Sequence, residues 1–519
     1  MKRLTKVRTV KWLLLCSIAF LFTATHSVAQ TTATASGNWS SPGIWSTGTV
    51  PVSGTAVIIN PGITVTVDIT NAICASLQVG SSSNGNGTLT FNTNSQLTVS
   101  GTVTLGGGSG ARTGTINMTN GGTLSCNALS INSGGSVFTP GTGTVRLNAT
   151  NTLPSSIITT FNNLVIGGGT TTASIALNIG SLTIASGATF VGGALTHNIS
   201  RDWINNGGTF SNTGSTINFN GTSQSIGGSA ATTFNHVTTV GATNTSIASG
   251  TTINGNLSIG NGTAFTADAF PLTVNGNLIV GGGTSGTFSI NSVTGAKTFN
   301  GDVTVNAGAT FNNTAGNASL SLAGNLSNTG AFNAGTGVYT LTGVSKTVSG
   351  TISIPNVTVA GSYTNSGTLT VTNALEGTGS LLNTGTLNLN FAGQPAITTL
   401  IASTAGNTVN YAFSGDQTVL PINYQNLTLG GSGAKTLQAG TTTIGGNFTL
   451  SGLANVTAVT GLTIGGSVTL GAGTLFMAGT FTHNVGGNWT NNGATFSSSG
   501  TINFNGTNQT IGGTAAVSY

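Results

Sequence analysis

The sequence predicts an all-β protein wound as one right-handed parallel β-helix, with coils of about 20–25 residues. Three observations carry this expectation. Apolar residues fall in short alternating runs, a glycine-asparagine unit recurs at coil length, and no stretch beyond the N-terminal leader shows an amphipathic helical period.

The alternating runs come first. In Leu272-Thr273-Val274 every second residue is apolar, and Leu278-Ile279-Val280 keeps the same inward positions. A strand built this way turns one set of side chains inward and the other toward water. The residues between such runs are mostly Gly, Thr, Ser and Asn, which make turns and solvated strand faces and are poor helix interiors. Only 3% of the chain is charged, yet 37% is hydrophobic. Disordered chains show the opposite balance, so ordered β structure is expected.

The recurring unit is apolar-x-Gly-Asn-apolar. It appears as Ile253-Asn254-Gly255-Asn256-Leu257, Val274-Asn275-Gly276-Asn277-Leu278, Phe299-Asn300-Gly301-Asp302-Val303 and Leu322-Ala323-Gly324-Asn325-Leu326. Its central glycines step by 21, 25 and 23 residues; a later set at 446, 466 and 487 steps by 20 and 21. Three short strands and three turns consume about that many residues. The Asn-Gly corners at 254–255, 275–276 and 300–301 are therefore expected to stack on one edge, with Gly and Asn supplying positive φ.

A longer unit overlies the short one. It runs Phe219-Asn220-Gly221-Thr222-Ser223-Gln224-Ser225-Ile226, with variants centred on Leu147, Leu341, Phe413 and Phe504. The clearest duplication joins 195–234 to 481–519, where His197, Trp203 and Phe210 recur 286 residues later as His483, Trp489 and Phe496. These aromatics, with Phe219 and Phe234, are expected to pack inside the coils. The second copy stops at Tyr519, the position of Phe234, so the β-helix is expected to continue in a longer protein.

The leader has its own signature. Basic Lys2, Arg3, Lys6, Arg8 and Lys11 precede an apolar run from Trp12 to Ala24, and Ser27-Val28-Ala29 then offers a cut before Gln30. This reads as a signal peptide over 1–29, with a secreted or outer-surface product and no transmembrane segment after cleavage. Leu15, before Cys16, is too large for lipoprotein processing. The remaining organisation is expected as a glycine-rich entry module or cap over 30–105 and a repetitive β-helix over 106–519. Removing the leader takes five of the eleven basic residues and leaves six against six acids, a neutral mature chain. Without a basic patch, nucleic acid is not an expected partner, nor is anionic lipid. Cys74 and Cys126 sit in strand-like runs, either as a disulfide or as two separate buried thiols.

Residues 37–68 read Gly-Asn-Trp39-Ser-Ser-Pro-Gly-Ile-Trp45, then Gly48-Thr-Val-Pro51, then Ile58-Ile59-Asn60-Pro61-Gly62 and Thr64-Val65-Thr66-Val67-Asp68. This resembles the glycine-rich entry module that opens many surface proteins of the Bacteroidota phylum, and the later NFNG and QTIGG copies resemble their repeats. The resemblance implies an extracellular adhesin or cell-surface β-helix. It also implies type IX export, with a C-terminal sorting domain.

Chemistry is sparse. Hydrolases and lyases need clustered carboxylates, whereas Asp68, Asp202, Asp268, Asp302, Glu376 and Asp416 are scattered. Asp202 beside Arg201 reads as a turn, since the second copy has Gly487-Asn488 there; Asp302 and Asp416 read likewise. His197 and His483 should lie on the order of 60 Å apart at ~4.8 Å per coil, too far to share a metal. His197 and His236, two coils apart, lack further ligands. No catalytic residue, cofactor or metal is expected. Trp39 and Trp45 are the candidates for stacking on a glycan, with core or cap packing as their competing role. The Thr-x-Thr pairs Thr64/Thr66 and Thr102/Thr104 invite an ice-binding face, which uneven coil lengths argue against.

The expected function is therefore a non-catalytic extracellular or cell-surface β-helix, an adhesin or spacer whose partners are glycans or other cell surfaces. The alternative is the non-catalytic part of a modular carbohydrate-active enzyme.

Overall fold

The structure, a computed structural model, describes residues 29–515 except 82, 109, 155 and 242. The expected signal peptide, Ala29 apart, lies outside the described residues. Strands make up 53% of the chain and helix 1%, in a parallel β-solenoid of about 22 turns.

Three strands and three turns close each coil through the middle of the rod. One face stacks Thr251–Ile253, Leu272–Val274, Lys297–Phe299 and Leu320–Leu322. The second stacks Leu257–Ile259, Leu278–Val280, Val303–Val305 and Leu326–Asn328. The third stacks Ala264–Ala267, Thr287–Ile290, Thr310–Asn312 and Ala331–Asn333. Each residue pairs with its equivalent one coil away, so like side chains stand above like. Phe265, Phe288, Phe311 and Phe332 form one such column, with successive ring centroids 6.2, 5.3 and 4.7 Å apart. Alternation does what the sequence promised: Leu257 and Ile259 are buried while Ser258 between them is half-exposed.

The Asn-Gly corners stack on one edge. Asn275 Nδ2 donates to Asn254 Oδ1 at 3.0 Å, and Asn300 Nδ2 to Asn275 Oδ1 at 2.7 Å. A second ladder fixes the next residue of each corner. Backbone N–H groups of Asn277, Asp302 and Asn325 donate to the side-chain oxygens of Asn256, Asn277 and Asp302 at 2.9, 3.0 and 2.8 Å. Only an acceptor oxygen is required, which is why Asp302 substitutes for Asn. One expectation needs correction: Gly255, Gly276, Gly301 and Gly324 are not among the residues at positive φ. At 276, 301 and 324 glycine is needed because coils touch backbone to backbone there, and at 255 because the His236 ring lies against it. A Cβ on Gly301 would sit 2.2 Å from the Gly276 carbonyl oxygen, and one on Gly324 2.1 Å from that of Gly301.

The N-terminal segment is built of the same coils. Ala29–Ala33 pairs in parallel with Thr55–Ile59. Its other edge is covered by a loop running the opposite way, with Thr34 N–H donating to Ile44 O at 2.8 Å and Ser46 N–H to Thr32 O at 2.9 Å. Covering an edge strand removes a template for further pairing. The ladder continues past residue 105, since Gln96–Leu105 pairs with Thr123–Ile131, with one bulge between Cys126 and Ala128.

The two cysteines are separate buried thiols. Cys74 and Cys126 both register with Val99, from opposite sides. That puts them two coils apart, about 9.6 Å at a ~4.8 Å spacing, beyond the roughly 7 Å reach of a disulfide. Burial pushes both thiols up to about 12.

Candidate functional site

The carboxylates with chemical potential are spent on joining coils. Asp202 Oδ1 accepts from Ser225 N–H and Oγ–H, both at 3.0 Å. Asp416 accepts from Ala434 N–H at 2.8 Å, and Asp68 from Ser40 N–H at 3.1 Å. Arg201 and Asp202, neighbours in sequence, point to different coils: the guanidinium reaches back to Asn162 and Asn163, the carboxylate forward to Ser225. Among the described residues, no three His, Cys, Asp or Glu side chains come together.

A device the sequence reading passed over governs the turns of the longer unit. Gln224 Oε1 accepts from Gly221 N–H in its own turn at 3.0 Å, while its Nε2 donates to the Ile199 and Arg201 carbonyls of the preceding coil. Gln417 and Gln509 repeat this, bridging Leu389 and Phe391, and Val485 and Gly487. The signal was present: each Gln follows a Gly by two or three residues. Lys346 stands at the Gln position of its copy, and there the Tyr363 hydroxyl, one coil on, fills the role at 2.9 and 3.0 Å from the Leu322 and Gly324 carbonyls.

Two lysines serve the same end. Lys435 Nζ, buried, donates to the Phe413 and Gly415 carbonyls at 2.7 Å each and to Gln417 Oε1 at 3.0 Å. Lys297 Nζ donates to the carbonyls of Asp268, Phe270, Thr294 and Gly295 at 2.9, 2.8, 3.1 and 2.6 Å. The thin surface charge read from sequence is thus thinner still.

The duplicated aromatic units match in detail. Trp203 lies 4.7 Å from Phe210, and Trp489 lies 4.9 Å from Phe496, both edge-on. His197 Nδ1 accepts from Leu177 N–H at 3.2 Å with Nε2 2.8 Å from Gly192 O; His483 repeats both distances with Leu462 and Ala478. The accepting Nδ1 fixes the neutral Nε2–H tautomer. His197 faces the bore and His236 the outside, where its Nδ1 accepts from Asn256 N–H, so the two do not converge.

Burial pulls both buried imidazoles below the ordinary value of 6.5, against the opposing pull of their carbonyl partners. The unfolded chain takes up these protons at higher pH than the folded one. Their contribution to stability is therefore complete above about pH 6.5 and is lost as pH falls toward the lower folded value. Melting temperature should drop between about pH 7 and pH 5, and the drop should shrink in His197→Phe. A flat profile in the unsubstituted chain would sink this.

Trp39 and Trp45 require a correction. Both are buried, at 0% and 2% exposure. Their rings meet edge-on at 5.0 Å, and Trp45 Nε1 donates to Trp39 O at 3.1 Å. Neither has a face free for a sugar ring; they pack the N-terminal coils, the role set against stacking.

One corner does present a recess. A groove of about 280 Å³ runs over successive coils near Asn162, Asn178, Asn198, Ser200, Arg201 and Asn220. Arg201 Nη2 donates to Asn162 O, Asn162 Oδ1 and Asn163 Oδ1 at 2.6, 2.8 and 2.9 Å. The side chain crosses Gly180, where a Cβ would lie 2.4 Å from Nη2. Asparagine amides line the approach, Asn198 donating to Asn178 at 2.7 Å and Asn218 to Asn198 at 3.2 Å.

Among the described residues, no helix is long and apolar enough to cross a membrane. No family model, curated protein or solved structure matches the chain.

Proposed function

We propose that this chain is a non-catalytic, extracellular or cell-surface rod that acts as an adhesin or spacer. The observation that carries the reading is the use made of its polar groups. Asp202, Asp302, Asp416, Lys297, Lys435 and the buried histidines are all committed to bonds between or within coils. General acid–base chemistry needs such groups free and facing substrate. What faces water instead is a long array of neutral hydroxyls and amides. About 22 turns at ~4.8 Å each make a rod on the order of 100 Å. Many weak contacts repeated along such a rod add up through effective concentration.

Secretion to the outer surface, export by the type IX route and kinship with Bacteroidota surface proteins belong to the same proposal. They rest on the leader and the entry motif. The test is to incubate the purified chain with plant, algal and host polysaccharides and with whole cells. Binding without cleavage is expected of an adhesin, and neither of a spacer. Released oligosaccharide, abolished by Asp202→Asn, Asp302→Asn or Asp416→Asn, would overturn the reading.

A further inference from the structure

We propose that the groove around Arg201 is a binding site for an acidic oligosaccharide, with the guanidinium holding a sugar carboxylate. The inference rests on the adhesin form of the proposed function and names the ligand class of one site.

Among the described residues, Arg201 is the one charged side chain lining the groove. Its sequence neighbour Asp202 does not neutralise it, being turned to Ser225 in the next coil. The guanidinium is also held in advance. Three oxygens anchor Nη2, and glycine at 180 leaves the passage through which the side chain lies. Nε and Nη1 have no partner among the described residues, so their N–H groups remain to donate. A fixed cation with unused donors, beside low-charge walls, favours an anion with acceptor oxygens.

The walls indicate what carries that anion. Asn178 and Asn198 stand one above the other at coil spacing, with Ser200 and Asn220 forming the adjacent column. Amides and hydroxyls in rows suit the hydroxyls of a sugar chain. The rows at Asn162, Gly180, Ser200 and Asn220 span three coil spacings, about 14 Å at ~4.8 Å each, the reach of an oligomer. Of the apolar residues of the groove, Phe161 and Ile179 are buried at 1% and 2% exposure and Pro140 is half-buried.

The chain also contains its own control. The duplicated unit keeps Asn198 and Asn220 as Asn484 and Asn505 but has Gly486 and Gly487 in place of Ser200 and Arg201. With Thr463 paired to Asn484 where Asn178 pairs to Asn198, the corresponding corner lacks the cation, a hydroxyl and an amide, and one acidic-sugar site per chain is expected.

The test is calorimetric titration of the purified chain with oligogalacturonate, a sulfated oligosaccharide and a neutral oligosaccharide of equal length. Oligogalacturonate should bind one to one, weaken with salt, and bind at least about tenfold tighter than the neutral oligomer. Arg201→Gln should reduce that affinity about tenfold or more with an unchanged melting profile. Asn178→Ala, which leaves Arg201 in place, should weaken it about threefold and serves if Arg201→Gln fails to fold. Equal affinity in wild type and variants, tighter binding of the sulfated oligomer, or no uronate binding would each overturn the proposal. Neutral-glycan or cell binding without uronate binding would overturn this site while leaving the adhesin reading standing; absence of all binding would remove both.

Discussion

Trp203→Ala should destabilise the coils around it by about 3–5 kcal/mol, the cost of emptying a large aromatic site. Trp203 is fully buried, between Leu182 of the preceding coil and Ile226 of the following one. Its ring meets Phe210 at 4.7 Å and Phe234 at 5.0 Å, both edge-on. A solenoid coil touches only its neighbours, so the loss should stay local. Thermal melting should split into an early transition and a late one. Hydrogen exchange should rise in Asn178–Ile184 and Gln224–Gly227 and stay at wild-type levels beyond the neighbouring coils. Trp203→Phe, which keeps a ring in the cluster, should cost less than half as much. An unchanged melting and exchange profile in Trp203→Ala would show that the cluster does not hold these coils together.

Lys435→Met should lose about 1–3 kcal/mol, the cost of leaving the Gly415 carbonyl without a donor. Methionine retains the packing of the lysine stem, so the loss isolates the ammonium. The Gly415 carbonyl loses its donor, while the Phe413 carbonyl keeps Ser432 N–H at 3.3 Å and Gln417 Oε1 keeps Phe413 N–H at 2.9 Å. Removing a desolvated charge offsets part of that loss. Lys435→Gln should recover about half, because an amide at this position carries two N–H groups, as Gln224 does across Ile199 and Arg201. Chemical denaturation of the three proteins, followed by exchange in Ser432–Thr436, measures the order. Lys435→Met as stable as wild type would mean that water supplies the missing donors.

Much of this architecture was legible in the residues themselves. A repeat of 20 to 25 residues with alternating apolar positions has one economical solution, since each coil can bury its inward side chains only against its neighbours. Strand order, the shared Asn-Gly edge and the inward rings of Trp203, Phe210, Phe219 and Phe234 follow from that. The duplication at an offset of 286 even anticipated that His197 and His483 would share an environment. Other features depend on what lies one coil above or below, which spacing along the chain does not encode. Trp39 and Trp45 offered both a stacking and a packing role, and the loop they occupy, folded across the first strand, buries them in the second. The glycines at 276 and 301 read as turn residues, although close approach of successive backbones is what requires them.

The sequence by itself determined that this protein is a sparsely charged, parallel, repetitive β structure, because composition, period and alternation are properties of the chain. The tertiary structure alone decided how its few ionisable groups are used. Asp202 and Arg201, adjacent in sequence, reach to opposite sides, the one to the next coil and the other two coils back; Lys435 caps a turn 20 residues away; Cys74 and Cys126 are held apart by Val99. The physical reason is the same in each case. A polar group drawn toward a low-dielectric bore must find its partner across the coil interface, and register, set by the whole stack, chooses which partner that is.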